Sequence, residues 1–288
     1  MTTFQIITDS ACDLPAAKLE AMNIHAVPLC LNFRGQLLAD RVDDSIQELY
    51  AALRSGEAAS TSAVNPEGWK SIIIPALQEG RDVLVLAFSS GLSTTCQSAV
   101  IAAEELKEEY PDRRIIVVDG LCASLGQGLL LHYLCKKRDE GATLEETAAW
   151  AEDHKLNLAH WFTVDDLMYL KRGGRVSAVT ALVGTMLNIK PVLHVDDEGH
   201  LINVSKARGR KASIRALADS ISQSGTLTAE DPIYICHGDC IEDAEYLKKL
   251  VLEQYGQREV FIGYTGAVIG SHSGPGTLAI FFLARNRD

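Results

Sequence analysis

Residues 83–95 read Val-Leu-Val-Leu-Ala-Phe-Ser-Ser-Gly-Leu-Ser-Thr-Thr, and a helical pattern follows from Thr94 to Glu109. The first six residues are all apolar, which is typical of a strand that is covered on both faces. The next seven supply five hydroxyls, and backbone N–H groups at the start of the helix form a natural anion site. This segment therefore predicts a buried strand, a ligand-binding loop and a helix in succession.

The same order of elements occurs on either side of this segment. The apolar run Phe4 to Thr8 leads into the loop Asp9 to Pro15, in which Asp13 is the predicted N-cap of a helix. A second run, Ile115 to Val118, precedes a helical pattern from Ala123 to Lys137. Strands that alternate with helices predict a parallel sheet whose ligands bind at the carboxyl ends of the strands.

The pattern changes after about residue 157, where successive strand-like runs are joined by turn residues. The residues Asp196 to Gly199 predict a hairpin between two of these runs, and antiparallel neighbours indicate a mixed sheet. We therefore predict an α/β protein. Residues 1–157 would form a three-layer α/β/α domain with a parallel sheet, and residues 158–288 an α+β domain with a mixed sheet.

The composition excludes several classes of protein. Of 288 residues, 47% are hydrophobic and 23% charged, which is the balance of a globular chain. The net charge of −11 argues against nucleic acid or an anionic membrane as the main partner. No apolar run reaches the ~20 residues of a membrane span, and no export signal is visible. The seven scattered cysteines are typical of reduced thiols, so we predict a cytoplasmic location.

Two further loops contain candidate ligand-binding side chains. Residues Ser60 to Pro66 form a hydroxyl-rich loop, and Gly270 to Gly276 place His272 among three glycines. From the residues alone, helix capping explains the hydroxyls as well as ligand binding does. The run Cys236 to Cys240 lacks the second ligand pair of a zinc site, and no nucleotide-binding motif is present. We therefore predict no metal and no cofactor.

Basic residues are concentrated in one part of this acidic chain. Between Lys171 and Arg215 there are nine basic residues and three acidic ones. Such a segment forms either a solvated face or a docking site for an anionic partner.

Taken together, these motifs resemble the DegV family of bacterial fatty-acid-binding proteins, which includes the lipid-carrying subunit of the bacterial fatty acid kinase. The resemblance covers essentially the whole chain in the order of the family. It rests on the segments Ile7 to Ser10, Thr61-Ser62 with Pro66, Ser89 to Thr95, Lys171 to Ser177, Arg208 to Lys211 and Gly270 to Gly276. One departure is Thr94, which stands where the family pattern has a glycine.

The resemblance implies a fold like that of the DegV and dihydroxyacetone kinase proteins, and it assigns roles to individual residues. The carboxylate of a long-chain fatty acid is expected at the hydroxyls of Thr61, Ser62, Ser93 and Thr94, with His272 beside it. Four arginines fall in segments expected to face a partner kinase or an acyl phosphate, namely Arg172, Arg175, Arg208 and Arg210.

The function that follows is that of a carrier and not of an enzyme. The protein would bind a long-chain fatty acid such as palmitate in a buried tunnel and present its carboxylate to a separate fatty acid kinase. Two alternatives remain open at this point. One is a phosphotransferase or phosphohydrolase that uses the Ser/Gly loops as a phosphate cradle, and the other is a sensor of a non-lipid small molecule.

Overall fold

The structure is a computed structural model that describes residues 4–40, 45–176 and 188–287. Ser177, the last residue of the Lys171 to Ser177 motif, lies outside these ranges. None of the described helices is both long enough and apolar enough to cross a membrane.

A four-stranded parallel sheet forms the centre of the first half. Its strands are β1 (Phe4–Asp9), β2 (Ile24–Val27), β6 (Asp82–Ala87) and β7 (Ile115–Asp119), in the order β2-β1-β6-β7. Every residue of β1 and β6 is buried, because helices cover both faces of the sheet. The predicted parallel sheet is therefore confirmed.

The helices of this half lie in two layers. Helices α3 (Pro66–Gln78) and α4 (Thr95–Glu109) cover one face, where they share a hydrophobic cluster with β1 and β6. Helices α5 (Leu125–Asp139) and α6 (Leu144–His154) contribute to the cluster on the other face. The short helix α1 (Ala16–Ala21) precedes β2.

A small antiparallel sheet was not predicted. Its strands are β3 (Cys30–Phe33), β4 (Gln36–Ala39) and β5 (Ala59–Ser62), in the order β4-β3-β5, and helix α2 (Ile46–Arg54) packs against it. Strand β5 carries Thr61 and Ser62, so part of the predicted hydroxyl loop is a strand. In the register of this sheet, Thr61 is opposite Leu31 and Ser62 is opposite Cys30.

The second half is built on a six-stranded mixed sheet. The strands are β8 (Leu158–Thr163), β9 (Ile189–Val195), β10 (Leu201–Arg208), β11 (Ile233–His237), β12 (Val260–Tyr264) and β13 (Leu278–Leu283). Their order is β10-β9-β8-β13-β11-β12, and only the β11–β12 pair is parallel. The predicted hairpin joins β9 to β10, and the Gly199 N–H donates to the Asp196 carbonyl at 3.0 Å.

Helices cover this sheet unevenly. Helices α8 (Arg210–Ser224) and α9 (Ile241–Tyr255) share a hydrophobic cluster with one face. The opposite face packs against α5, so that helix lies between the parallel and the mixed sheet. Two short helices, α7 (Met168–Arg172) and α10 (Ala267–Ser273), also pack against each other. Because one core spans the junction, the boundary between residues 157 and 158 stays a prediction.

The prediction that Asp13 is the N-cap of the following helix is wrong. Helix α1 begins at Ala16, and Pro15 holds the N-cap position without a side-chain hydrogen bond. Asp13 ends a short 3-10 helix at φ 54°, where the Asp13 N–H donates to the Ser10 carbonyl. This left-handed turn is accompanied by burial of the carboxylate, which accepts a hydrogen bond from the Ser124 hydroxyl.

Candidate ligand cavity

A cavity of about 480 Å³ lies between the two halves of the chain. Its walls come from the ends of β5 and β6, the loop before α5, helix α10 and the inward-facing residues of β8 and β13. All five residues predicted to bind a carboxylate line it, namely Thr61, Ser62, Ser93, Thr94 and His272. The structure thus brings together side chains that are as far as 211 positions apart.

Thr61 and His272 form the closest contact within this group. The Thr61 Oγ1 lies 2.7 Å from the His272 Nε2. Burial, with a smaller effect of Arg175, lowers the pKa of His272 to about 4. The ring is therefore neutral near pH 7 and can exchange a hydrogen bond with the Thr61 hydroxyl.

Ser93 combines the two roles that the residues alone left open. Its hydroxyl accepts a hydrogen bond from the Thr95 N–H at 3.2 Å and lies 2.9 Å from the Thr95 Oγ1. Ser93 therefore helps to form the first turn of α4 while it also lines the cavity. Thr94 occupies the N-cap position but makes no side-chain capping bond, and it is exposed at the rim.

The β9–β10 hairpin holds the loop that carries Ser93. The Ser89 hydroxyl donates to the Gly199 carbonyl at 2.9 Å. A Cβ atom on Gly91 would lie 2.7 Å from the Glu198 carbonyl oxygen, so only glycine permits this approach. Because the hairpin also supplies Val195 and Leu201 to the cavity wall, the loop and the wall form one unit.

The four arginines of the predicted partner-docking group do not lie together. Arg175 lines the cavity, and its Nε donates to the Leu92 carbonyl at 3.2 Å. Arg172 lines a smaller adjoining pocket and stacks over the Tyr169 ring at 4.5 Å. Neither of the other two arginines lines the cavity.

Arg208 is the last residue of β10, and Arg210 is the first residue of α8. Arg208 is exposed. Arg210 is half-buried, and its Nε donates to the Asp243 carboxylate at 2.7 Å. The structure therefore divides the predicted set into a pair beside the cavity and a pair outside it.

Sequence reasoning missed the inner, mainly apolar wall. Thr277, directly before β13, and the alternate residues Ala279 and Phe281 of that strand face the cavity, as the period of two in a strand requires. They were not predicted because the run Leu278 to Leu283 is apolar on both faces. The remaining large apolar side chains of the wall are Leu29, Phe88, Leu92, Phe162, Leu170, Val195, Leu201, Val268 and Ile269.

A buried histidine also belongs to this wall. The His160 Nδ1 lies 2.8 Å from the Leu158 carbonyl, so this nitrogen carries the proton. The Nε2 then accepts a long hydrogen bond of 3.4 Å from the Ala123 N–H. Burial lowers the pKa of His160 well below its ordinary value, and the side chain is a neutral part of the wall.

Three aspartates, Asp9, Asp13 and Asp40, are buried, and Asp40 contacts helix α10. Asp40 accepts hydrogen bonds from the Val268 N–H at 3.1 Å and from the Ser10 hydroxyl at 2.8 Å. Burial raises the pKa of Asp40 to about 6 and the pKa of Asp9 to about 7. Burial, together with the charge of Asp40, raises the pKa of Asp13 well above its ordinary value. Asp40 thus holds the start of the helix that ends with His272 and Ser273, whereas Asp9 accepts a hydrogen bond from the Phe88 N–H at 2.8 Å.

Comparisons with known proteins agree with this architecture. Residues 3–285 match the model of a family described as uncharacterised proteins of the DegV family. A DegV domain-containing protein of Clostridium perfringens is 42% identical over 290 residues, and the match covers all of both chains. A homologue from Lactococcus lactis is 37% identical over 98% of each chain.

Two solved structures share the fold along their whole length. A DegV family protein from Thermus thermophilus, described as binding fatty acid, is 32% identical with a TM-score of 0.89 and covers 98% of this chain and 99% of its own. A DegV lipid-binding protein from Thermotoga maritima is 29% identical with a TM-score of 0.87 and covers 99% and 100%.

Proposed function

Because the chain belongs to the DegV family, we propose that its cavity binds one long-chain fatty acid. The observation that carries this proposal is the distribution of side chains around the cavity. Hydroxyls and a neutral histidine lie at the rim, and most of the inner wall is apolar. Both features match a molecule with one carboxylate and a long hydrocarbon chain.

The hydrocarbon chain supplies most of the affinity. At ~0.8 kcal/mol for each buried CH₂ group, a C16 chain such as palmitate offers about 12 kcal/mol before the costs of ordering. The inner wall suits such a chain because Phe162, Leu170, Ala279 and Phe281 are apolar.

The carboxylate lies at the rim, among Thr61, Ser62, Ser93, Thr94 and His272. Hydroxyl groups and a neutral imidazole satisfy a carboxylate without enclosing both of its oxygens. A bidentate arginine clamp would instead engage both oxygens. One oxygen consequently stays open to an incoming phosphoryl group.

In this proposal the protein is a carrier without a cofactor, and a separate fatty acid kinase performs the chemistry. Arg172 and Arg175 lie beside the carboxylate site, where their charges would favour an acyl phosphate. Arg208 lies on the surface outside the cavity and is available to a docking partner.

Native mass spectrometry of the purified protein, before and after removal of lipid, tests the binding step. We expect one fatty acid for each chain, and reloading with palmitate or oleate after its removal. Ala279→Phe, which fills the cavity, should prevent loading. Ala51→Phe, the same change on the exposed side of α2, should not. A chain that purifies empty and gains no mass from either fatty acid would contradict the proposal.

A second assay tests the role in the kinase reaction. The loaded protein is incubated with ATP, with and without the catalytic subunit of a fatty acid kinase. Acyl phosphate that forms only with the kinase subunit supports a carrier, whereas its formation by this chain alone identifies an enzyme.

A further inference from the structure

One polar side chain of the cavity wall has no role in the proposed carboxylate site. Ser273 is the last residue of α10 and follows His272 directly. It lines the cavity and is only 5% exposed. Its Oγ finds no hydrogen-bond partner within residues 4–40, 45–176 and 188–287.

The other buried hydroxyls that line the cavity are satisfied by the protein. The Ser124 hydroxyl donates to the Asp13 carboxylate, and the Thr265 hydroxyl donates to the Cys236 Sγ at 3.2 Å. The Thr277 hydroxyl donates to the Gly274 carbonyl at 2.8 Å. Because buried polar groups in folded proteins almost always have a partner, the Ser273 hydroxyl is available to a molecule that fills the cavity.

The burial of Ser273 indicates that its partner lies deeper in the cavity than the carboxylate does. The proposed head-group residues Thr61 and Ser93 are half-buried, and Ser62 and Thr94 are exposed. Ser273 is on the same helix as Val268 and Ile269, one turn after Ile269, and all three residues line the cavity. An unsubstituted acyl chain passing here would leave the Ser273 hydroxyl unpaired in an apolar environment, which is unfavourable.

We propose, on the basis of the fatty-acid binding proposed above, that the cavity selects fatty acids that carry a hydroxyl group on the chain, and that Ser273 binds this hydroxyl. The two hydroxyls satisfy one another, because each can donate and accept. A site that hydrogen-bonds a substrate hydroxyl discriminates against the analogue that lacks it, since the polar group of the site is then left unpaired.

Competition binding against a fluorescent fatty acid measures this selectivity. The competitors are octadecanoic acid and its 3-, 10- and 12-hydroxy derivatives. They are compared on the wild-type protein, Ser273→Ala and the matched control Ser271→Ala. Ser271 lies on the same helix, but its hydroxyl donates to the Val268 carbonyl at 2.8 Å and it does not line the cavity. Thermal unfolding of each variant verifies that it folds.

We expect one hydroxy isomer to bind the wild-type protein more tightly than octadecanoic acid does, while isomers with a misplaced hydroxyl bind more weakly. Ser273→Ala should reduce the preference for that isomer about fivefold, the scale of one neutral hydrogen bond. It should strengthen the binding of octadecanoic acid, because no unpaired hydroxyl then faces the chain, and Ser271→Ala should change neither affinity.

Two results would contradict the proposed preference for hydroxylated fatty acids. Equal weakening of all the acids by Ser273→Ala would mean that Ser273 binds the carboxylate. Binding of every hydroxy isomer to the wild-type protein no tighter than that of octadecanoic acid would show that the wall does not select for a hydroxyl. Failure of octadecanoic acid and of all its derivatives to bind is a distinct result, which contradicts the proposed function itself.

Discussion

The side chains of Thr61 and His272 are joined by a hydrogen bond of 2.7 Å between Oγ1 and Nε2, across 211 positions of the chain. Thr61 belongs to strand β5 of the small sheet, and His272 belongs to helix α10, which lies between strands of the mixed sheet in the sequence. The bond therefore connects the two halves of the molecule at the rim of the cavity. A change at either residue is expected to affect both ligand binding and stability.

Thr61→Val should weaken fatty-acid binding by roughly 1–2 kcal/mol, because it removes a hydroxyl from the carboxylate site and leaves His272 without this contact. Ser93→Ala should act similarly, and the double variant should lose less than the sum, since both hydroxyls serve one carboxylate. Isothermal titration calorimetry measures all three. Ser60→Ala, an exposed neighbour on β5, is the control. Wild-type affinity in both single variants would mean that these hydroxyls have only a structural role.

The neutral state of His272 can be tested through pH. Its pKa of about 4 lies below the value of 6.5 for an unfolded histidine, so the unfolded chain takes up the proton first. Relative to His272→Gln, the wild-type protein should lose stability as the pH falls from about 6.5 to 4. Between pH 6 and 8 the ratio of their fatty-acid affinities should be constant. An NMR titration of the ring with a midpoint above pH 6 would contradict this assignment.

The parallel sheet could be predicted because the residue pattern that indicates each strand lies within the strand itself. Strand β6 is buried along its whole length, and an apolar run of that kind is visible without any knowledge of its neighbours. The small sheet could not be predicted in this way. Residues Ala59–Ser62 contain no apolar run, and their strand exists because they pair with Cys30–Phe33, which are distant in the sequence.

The candidate site was predictable to a similar, limited extent. The hydroxyl loops were visible as residue types, but only the family resemblance connected Thr61 with His272. Ser124 and Ser273 escaped prediction because their importance depends on burial. Ser124 has a φ of 55°, and its bond to Asp13 depends on tertiary packing between distant segments.

The positions of the arginines relative to the cavity predict which of them affect fatty-acid binding and which affect the kinase reaction. Arg175→Met should weaken fatty-acid binding by about 1 kcal/mol, because it removes a positive charge from the cavity wall. Arg208→Ala and Arg210→Ala should leave binding unchanged, since neither residue lines the cavity. With a cognate kinase, these two variants should form acyl phosphate more slowly at low salt, and added salt should narrow the difference from wild type. Loss of lipid from Arg208→Ala would place that residue in the ligand site.

The contact between the Ser93 loop and the hairpin yields a steric prediction. Gly91→Ala places a Cβ atom 2.7 Å from the Glu198 carbonyl oxygen and 2.8 Å from the Gly199 carbonyl oxygen. Because both contacts are with backbone, the loop must shift, at a cost of about 1–3 kcal/mol in stability. Fatty-acid affinity should fall as well, since Ser93 moves with the loop. Urea unfolding and calorimetry measure the two effects, and unchanged affinity would mean that the loop does not position Ser93 for the ligand.

The buried Asp40 makes the protein less stable as the pH rises, whereas His272 makes it less stable as the pH falls. Its pKa of about 6 lies above the ordinary value of 3.8, so the folded protein holds the proton more tightly than the unfolded chain does. The stabilisation from this group is complete at low pH and is lost as the pH rises to about 6. Asp40→Asn is neutral at every pH and has no such loss.

The free energy of unfolding of the wild-type protein, relative to Asp40→Asn, should therefore fall by about 2 kcal/mol between pH 4.5 and pH 6.5. Urea unfolding at several pH values measures this difference, and the exposed Asp197→Asn shows whether an Asp-to-Asn change has a pH dependence of its own. Because Asp40 accepts the Val268 N–H at the start of α10, we expect Asp40→Asn also to weaken fatty-acid binding at pH 7 through a displaced His272. If the free energy of unfolding of the wild-type protein instead rose with pH relative to Asp40→Asn, Asp40 would be ionised and stabilising in the folded protein.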